Sequence, residues 1–307
     1  MLRGYTFLLV PLLLGYLLSR ASFVPRATAP VLNFFVINIA LPATVLLSIR
    51  NIALSYDLLT PVATQWGLLV IAGLLILLVS HLFKFDRLVT GTMLLVVPLG
   101  NTAFLGLSVI PVFFGREAIP YGVIYDQLGS FLALATYGAA VANTYGKGNG
   151  TDLGKLSIRV LTFPPLIFLI AGFFLRDFSI PGILNDFLKI VSWTLVPAAM
   201  LAIGLNISLK IERRLLGPLV SSLVIKLILM PVVTLLVFLA LGLTGLAAEV
   251  SIFQAAMPSM ITAAVLASDK GLEKRLATSI VSIGLVLSLA TLPLVSYLIE
   301  IFIINAN

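Results

Sequence analysis

The chain contains no cysteine, one histidine, two tryptophans and few charges, and each scarcity removes a class of explanation. Without cysteine there is no disulfide framework, no thiolate metal site and no cysteine nucleophile. Only 10% of the 307 residues are charged, whereas 60% are hydrophobic and the mean hydropathy is +1.17. No soluble domain could cover that much apolar surface, so the composition reads as a polytopic membrane protein. A lone histidine, His81, cannot support a Ser/His intramembrane protease, and beside Lys84 at a helix end it is expected in solvent or among headgroups. HExxH, a Walker loop and an aspartate cluster for prenyl-diphosphate chemistry are also missing, so neither an enzyme nor a cofactor or metal is expected. The net charge of +7 reflects basic cytoplasmic loops rather than affinity for nucleic acid.

What is present is a series of ten apolar segments, each near the roughly 20 residues that a bilayer requires. They lie near 5–19, 28–49, 61–83, 88–113, 118–145, 156–175, 187–208, 215–241, 247–268 and 276–303. The first lacks a small-residue cleavage site and is read as a retained helix rather than a signal peptide. Gly146 to Lys155, GKGNGTDLGK, is the longest polar joint and falls almost at the midpoint. Its glycines, Asn149 and Thr151 make it a flexible cytoplasmic linker between halves 1–145 and 156–307.

Basic residues orient the segments. Arg3, Arg50, Arg116, Arg176 and Lys189 fall on one side. Arg20, Arg26, Lys84, Arg87, Lys147, Lys155, Arg159, Lys210, Arg213, Arg214, Lys270, Lys274 and Arg275 fall on the other. The richer side is cytoplasmic, which leaves both termini outside the cell membrane. Lys226 belongs to neither side, because it lies within segment 8.

The halves resemble one another weakly but in order. LLLGYLLSR at 12–20 matches LIAGFFLRD at 169–177, and Thr60-Pro61 matches Gly217-Pro218, both at a shift of 157. Asn101 falls on Pro258 at the same shift, and ALPA at 40–43 and LALAT at 132–136 find partners at 155. Five helices per half is odd, so the second half enters the membrane from the opposite side. The expected fold is therefore an all-α membrane protein of ten transmembrane helices in two inverted five-helix repeats, a transporter architecture.

Two segments carry interruptions at corresponding places. VVPLGNTAFLGLSVI, 96–110, places Pro98 and Gly100 inside segment 4, and QAAMPSMITAA, 254–264, places Pro258 inside segment 9. Proline removes a backbone donor and clashes with the preceding turn, so helices 4 and 9 are expected to break. Broken backbone survives at membrane depth only where protein or a watery cavity satisfies it. If the breaks cross, their half-helix N-termini suit a carboxylate, with Gly100, Asn101, Thr102, Met257, Pro258 and Ser259 as substrate-binding candidates. The competing reading is a kinked packing helix with a tolerated asparagine.

Intramembrane lysine needs a partner or an aqueous cavity. Asp126 in segment 5 is the natural partner of Lys226, with Gln127 beside it and Gln65 in segment 3, together a coupling or support site. Asn38 and Asn206 are expected as packing groups between helices, and Pro42 and Pro197 as bends in helices 2 and 7.

These stretches, with the opening GYTFLLVPLLLGYLLSR, ALPATVLLSI, GNTAFLGLSVI, VPAAMLAIGLNI and SIFQAAMPSMITAAVLA, resemble the auxin efflux carrier family along the whole chain. Plant members have proline directly before the asparagine, where this chain has Gly100. The resemblance extends in fold to bile acid–sodium symporters. It implies a scaffold from helices 1, 2, 6 and 7 and a transport domain from helices 3–5 and 8–10. It further implies an elevator-like motion, a carboxylate near Asn101, and often a homodimer. In sodium-driven relatives a cation site lies between helices 3, 5 and 8, where the Lys226 ammonium could stand in for sodium. The function so implied is secondary-active transport of small organic anions, auxin-like monocarboxylates or malate-like carboxylates. A membrane sensor that binds such a ligand without moving it is the alternative. Beyond substrate and membrane lipid no partner is expected.

Overall fold

A computed structural model describes residues 2–25, 27–50, 52, 55–147, 158, 160–207, 209 and 211–304. Most of the linker expected at 146–155, including Asn149 and Thr151, lies outside the described residues, as do Arg26, Lys155, Arg159 and Lys210. The described regular elements are all helices, and among the described residues no strand forms beyond one isolated two-residue bridge. Five helical runs are long and apolar enough to cross a bilayer: Thr28–Ile49, Tyr56–Leu82, Gly182–Leu205, Arg213–Leu241 and Lys274–Ile304. Shorter apolar helices include Leu8–Leu18, Arg87–Val96, Thr102–Phe113, Pro164–Phe174 and Leu246–Ala255. The segments expected at 88–113 and 247–268 are thus each interrupted.

Prolines explain much of the helix geometry. A proline at position i leaves the i−4 carbonyl without its donor, and its ring pushes on the preceding turn. A π-helical turn is wider and relieves that crowding. Val36–Ala40 is such a turn and ends two residues before Pro42, and Ile225–Leu229 ends two residues before Pro231. Pro197 sits in the first turn of Leu195–Leu205, just after the helix Gly182–Trp193 has ended.

The chain divides into two compact units. The first comprises Met1–Ser55, Ala103–Val123 and Ser157–Ile207. Its helix Leu2–Leu18 packs along Leu195–Leu205, and Pro164–Phe174 packs on Leu41–Ile49. Glycines permit both approaches. A Cβ on Gly15 would overlap the carbonyl of Leu201, and one on Gly204 would overlap the carbonyl of Leu12. Gly172, which aligns with Gly15 in the internal comparison, leaves 3.3 Å between its own Cβ position and Ile49 Cβ. Arg50 then donates to the carbonyls of Leu175 and Phe178, serving the bare C-terminal end of Pro164–Phe174. Asn38 and Asn206 donate to the carbonyls of Phe34 and Ala202, each at 2.8 Å on its own helix. These are local bonds of the kind that short amides readily form.

The second unit comprises Tyr56–Thr102, Ile124–Leu156 and Ser208–Asn307. Leu59–Leu82 packs against Leu246–Ala255 and the π-helical turn Tyr125–Phe131, while Arg87–Val96 packs against Ala139–Tyr145, Ile261–Asp269 and Lys274–Ile299. The end of this unit that carries the basic joints is knitted by polar contacts. Lys147 N donates to Lys270 O at 2.7 Å, Glu273 N to Thr92 Oγ1 at 2.9 Å, and Arg214 lies between Glu212 and Glu273. His81 is exposed at the C-terminal end of Leu59–Leu82.

The glycine contacts give opposite expectations for two helix-interior substitutions. Gly204→Ala forces two backbones apart and should lower the melting temperature of the purified protein, at a cost of about 1–3 kcal/mol. Gly67→Ala meets nothing within 4 Å and should leave stability unchanged or raise it by about 0.5–1 kcal/mol. Equal melting shifts for the two would contradict the close approach at Gly204.

Candidate functional site

The site is assembled from the two interruptions. Asp86 caps the helix Arg87–Val96 by accepting from Val89 N at 2.9 Å, and the helix stops ahead of Pro98. Helical turns resume at Thr102 as a π turn, Thr102–Gly106, which runs into Leu107–Phe113. In the later segment Leu246–Ala255 stops ahead of Pro258, and Ile261–Asp269 begins after an extended Met260. Proline lacks the N–H that would continue the ladder and its ring crowds the preceding turn, so both stops are written into the sequence.

The two non-helical stretches meet each other. Gly100 and Ser259 form an antiparallel bridge. Asn101 N donates to Pro258 O at 2.7 Å and Met260 N donates to Leu99 O at 2.9 Å. Each break thereby supplies the backbone partner that the other lacks, which a buried polar main chain requires. Two glutamines from neighbouring helices serve the carbonyls on either side of the first break. Gln65 Nε2 donates to Pro98 O and Gln254 Nε2 to Thr102 O, both at 3.3 Å.

Around the bridge lies a buried polar cluster. Thr102 Oγ1 donates to Asp126 Oδ1 and Gln127 Nε2 donates to Asp126 Oδ2, each at 2.6 Å. Both carboxylate oxygens are thus engaged, and Asp126 is only 5% exposed. Lys226, 3% exposed, reaches the bridge from the π turn ahead of Pro231. Its Nζ lies 3.3 Å from where a Cβ on Gly100 would stand, with Thr102 Cγ2 at 3.3 Å and Met257 Cβ at 3.5 Å. Thr102, Asp126, Gln127 and Lys226 all occupy π-helical turns, a distortion frequent at functional sites.

All ten site residues expected from sequence fall in this one cluster: Gly100, Asn101, Thr102, Met257, Pro258 and Ser259 at the bridge, with Gln65, Asp126, Gln127 and Lys226 against it. The pairing of Asp126 with Lys226 does not form. Among the described residues no ion pair joins them, because Asp126 is turned to Thr102 and Gln127 while Lys226 is turned to Gly100. Gln254 is the residue that sequence reasoning passed over, although an amide four positions before Pro258 in an apolar run was a signal for it. Ser130 and Trp66 were also missed. Ser130 is fully buried near Asp126 in sequence, and Trp66 Nε1 donates to Leu128 O at 3.1 Å, fixing the π turn that bears Asp126. Among the buried side-chain atoms Ser259 Oγ, Gln127 Oε1 and Ser130 Oγ have no hydrogen-bond partner among the described residues. Two cavities of about 330 and 220 Å³ in this unit are lined by other, mostly apolar residues, including Gly67 and Phe238 in one and Pro231 and Leu294 in the other.

Known proteins share this sequence pattern along its length. A family model described as a membrane transport protein matches residues 5–151 and again 152–296. An uncharacterized transporter of Methanothermobacter thermautotrophicus is 31% identical over 296 residues, covering 93% of this chain and 94% of the relative. An uncharacterized transporter of Methanocaldococcus jannaschii is 29% identical over 296 residues, with the same shares of the two chains covered. With buried breaks, long apolar helices and a match across nearly every residue, the chain belongs to the membrane transport protein family, the auxin efflux carriers whose motifs it carries.

Proposed function

We propose that this chain is a secondary-active carrier of small organic anions that binds its substrate where the two broken helices meet. The observation that carries the reading is the buried main-chain bridge between Gly100 and Ser259. Helical turns begin at Thr102 and at Ile261, directly after the bridge, so two helix N-termini lie beside it. Their unsatisfied N–H groups and positive dipole ends favour an anion. Thr102 contributes its main chain, because its hydroxyl is committed to Asp126. Asn101, Met257, Pro258 and Ser259 complete the binding surface, and the Asp126–Gln127 pair with Gln65 supports it from behind. Substrate is an auxin-like monocarboxylate or a malate-like carboxylate.

The membrane architecture in this reading is ten spans in two inverted five-helix repeats. Helix 1 packing on helix 7 and helix 6 on helix 2 supports an exchange of equivalent helices between halves. The division of the family match at 151/152, inside the joint 146–155, supports the same boundary. Helices 1, 2, 6 and 7 act as scaffold, and helices 3–5 and 8–10 carry the site across the cell membrane in an elevator-like step. Both termini are outside the cell.

Two measurements test this. In proteoliposomes on a solid-supported membrane, or by radiolabel counterflow, indole-3-acetate or malate should be carried with or without sodium, and Asn101→Ala should reduce the rate more than about tenfold. Silence of the wild type in both assays would contradict the carrier reading, and an active Asn101→Ala would contradict the site. Because the chain has no cysteine, single introduced thiols report sidedness. Asn149→Cys should react with an impermeant maleimide only after permeabilisation, whereas Asp57→Cys should react in intact cells. The reverse pattern would overturn the orientation.

A further inference from the structure

We propose that the ammonium of Lys226 is the direct counter-charge of the transported anion, which it holds together with the hydroxyl of Ser259 beside Gly100. This rests on the carrier reading above and names the groups that recognise the substrate's carboxylate.

Among the described residues, Lys226 and Asp126 are the two charged ones that are buried. Asp126 has both oxygens occupied by Thr102 and Gln127. Lys226 makes no hydrogen bond or ion pair among the described residues, and a buried ammonium left uncompensated costs several kcal/mol. A site that keeps such a charge at membrane depth is arranged for an anion that arrives from outside it.

The bridge geometry says where that anion sits. The main-chain bonds run from Asn101 to Pro258 and from Met260 to Leu99, so Gly100 and Ser259 are a non-hydrogen-bonded antiparallel pair. Residues opposed in this way direct their Cβ atoms to the same face, with side chains closer than in the hydrogen-bonded pair. Lys226 Nζ stands 3.3 Å from the Cβ position of Gly100. It therefore occupies the face toward which Ser259 projects, and Ser259 Oγ is buried without a partner. One cation and one neutral donor are on the same face of the bridge. A carboxylate matches them with one oxygen on each, the ammonium bond being charge-assisted. A side chain at position 100 would press on Lys226 Nζ and Thr102 Cγ2, each 3.3 Å from its Cβ, which accounts for glycine there. The wide turn before Pro231 is what carries Lys226 to this point.

The test compares acids with their own amides, because only the acid engages a counter-charge. Indole-3-acetate and L-malate, indole-3-acetamide and malamide, and sulfate as a non-carboxylate oxyanion would be assayed by thermal stabilisation and by competition in counterflow. Wild type should prefer an acid over its amide. Lys226→Gln should raise the half-saturating concentration of the acid about 10- to 100-fold and leave the amide nearly unchanged, while Lys226→Arg retains the preference. Gly100→Ala, which presses on Lys226 Nζ and on Thr102 Cγ2, should weaken the acid selectively, and it carries the test should the glutamine variant not fold. Unchanged acid preference in Lys226→Gln or Gly100→Ala would overturn the assignment, and so would equal loss of acid and amide, the mark of a structural lysine. Preference for sulfate over both acids would overturn the carboxylate. A wild type that binds none of these anions would overturn the carrier reading and this assignment with it.

Discussion

Two hydrogen bonds between main chains hold the centre of this protein together. At membrane depth no water competes for a bare N–H or C=O, so a helix interrupted by proline must find its missing partners in protein. Here the interruption at Pro98 and that at Pro258 satisfy each other through Asn101 to Pro258 and Met260 to Leu99. The remaining carbonyls at Pro98 and Thr102 are taken by Gln65 and Gln254. Neither break would be tolerable alone. Once they are paired, two helix starts, a glycine gap and a set of buried polar side chains converge on one place.

The polar cluster depends on that pairing in a graded way. Thr102 is placed by the break itself, and it aims Asp126 away from Lys226 by holding one carboxylate oxygen. Asp126 and Lys226 each lie in a widened turn, the second set by Pro231 and the first fixed by Trp66. Proline acts here at two distances: at the break it ends a helix, and five residues beyond a lysine it rotates that lysine onto the break. In the other unit glycine does comparable work, because Gly15 and Gly204 let two helices touch backbone to backbone.

Much of this was legible in the sequence because proline and intramembrane polar residues have few acceptable environments. Pro98, Pro258, Asn101 and Lys226 could be singled out on that ground alone. The long helices from Thr28, Tyr56, Gly182, Arg213 and Lys274 were visible as apolar runs. What periodicity cannot supply is register. The pairing of Gly100 with Ser259, rather than a neighbour, is decided by three-dimensional packing of helices far apart in the chain. For the same reason the natural guess that opposite charges pair failed for Asp126 and Lys226. A carboxylate can be satisfied by neutral donors as well as by a cation, and Thr102 and Gln127 were nearer. Gln254 escaped notice because its value lies in the carbonyl of Thr102, which becomes available only once the first helix is known to break.

The central claim is the register in which the two breaks meet, and the absence of native cysteine makes it directly measurable. A non-hydrogen-bonded antiparallel pair brings Cα atoms to about 4.5 Å, within the range a disulfide can span. In a Gly100→Cys, Ser259→Cys double variant, with a protease site placed in the joint 146–155, mild oxidation should link the two halves so that they remain together on a non-reducing gel after cleavage. Halves that separate under these conditions, while a pair displaced by two residues cross-links instead, would contradict the bridge and the site built upon it.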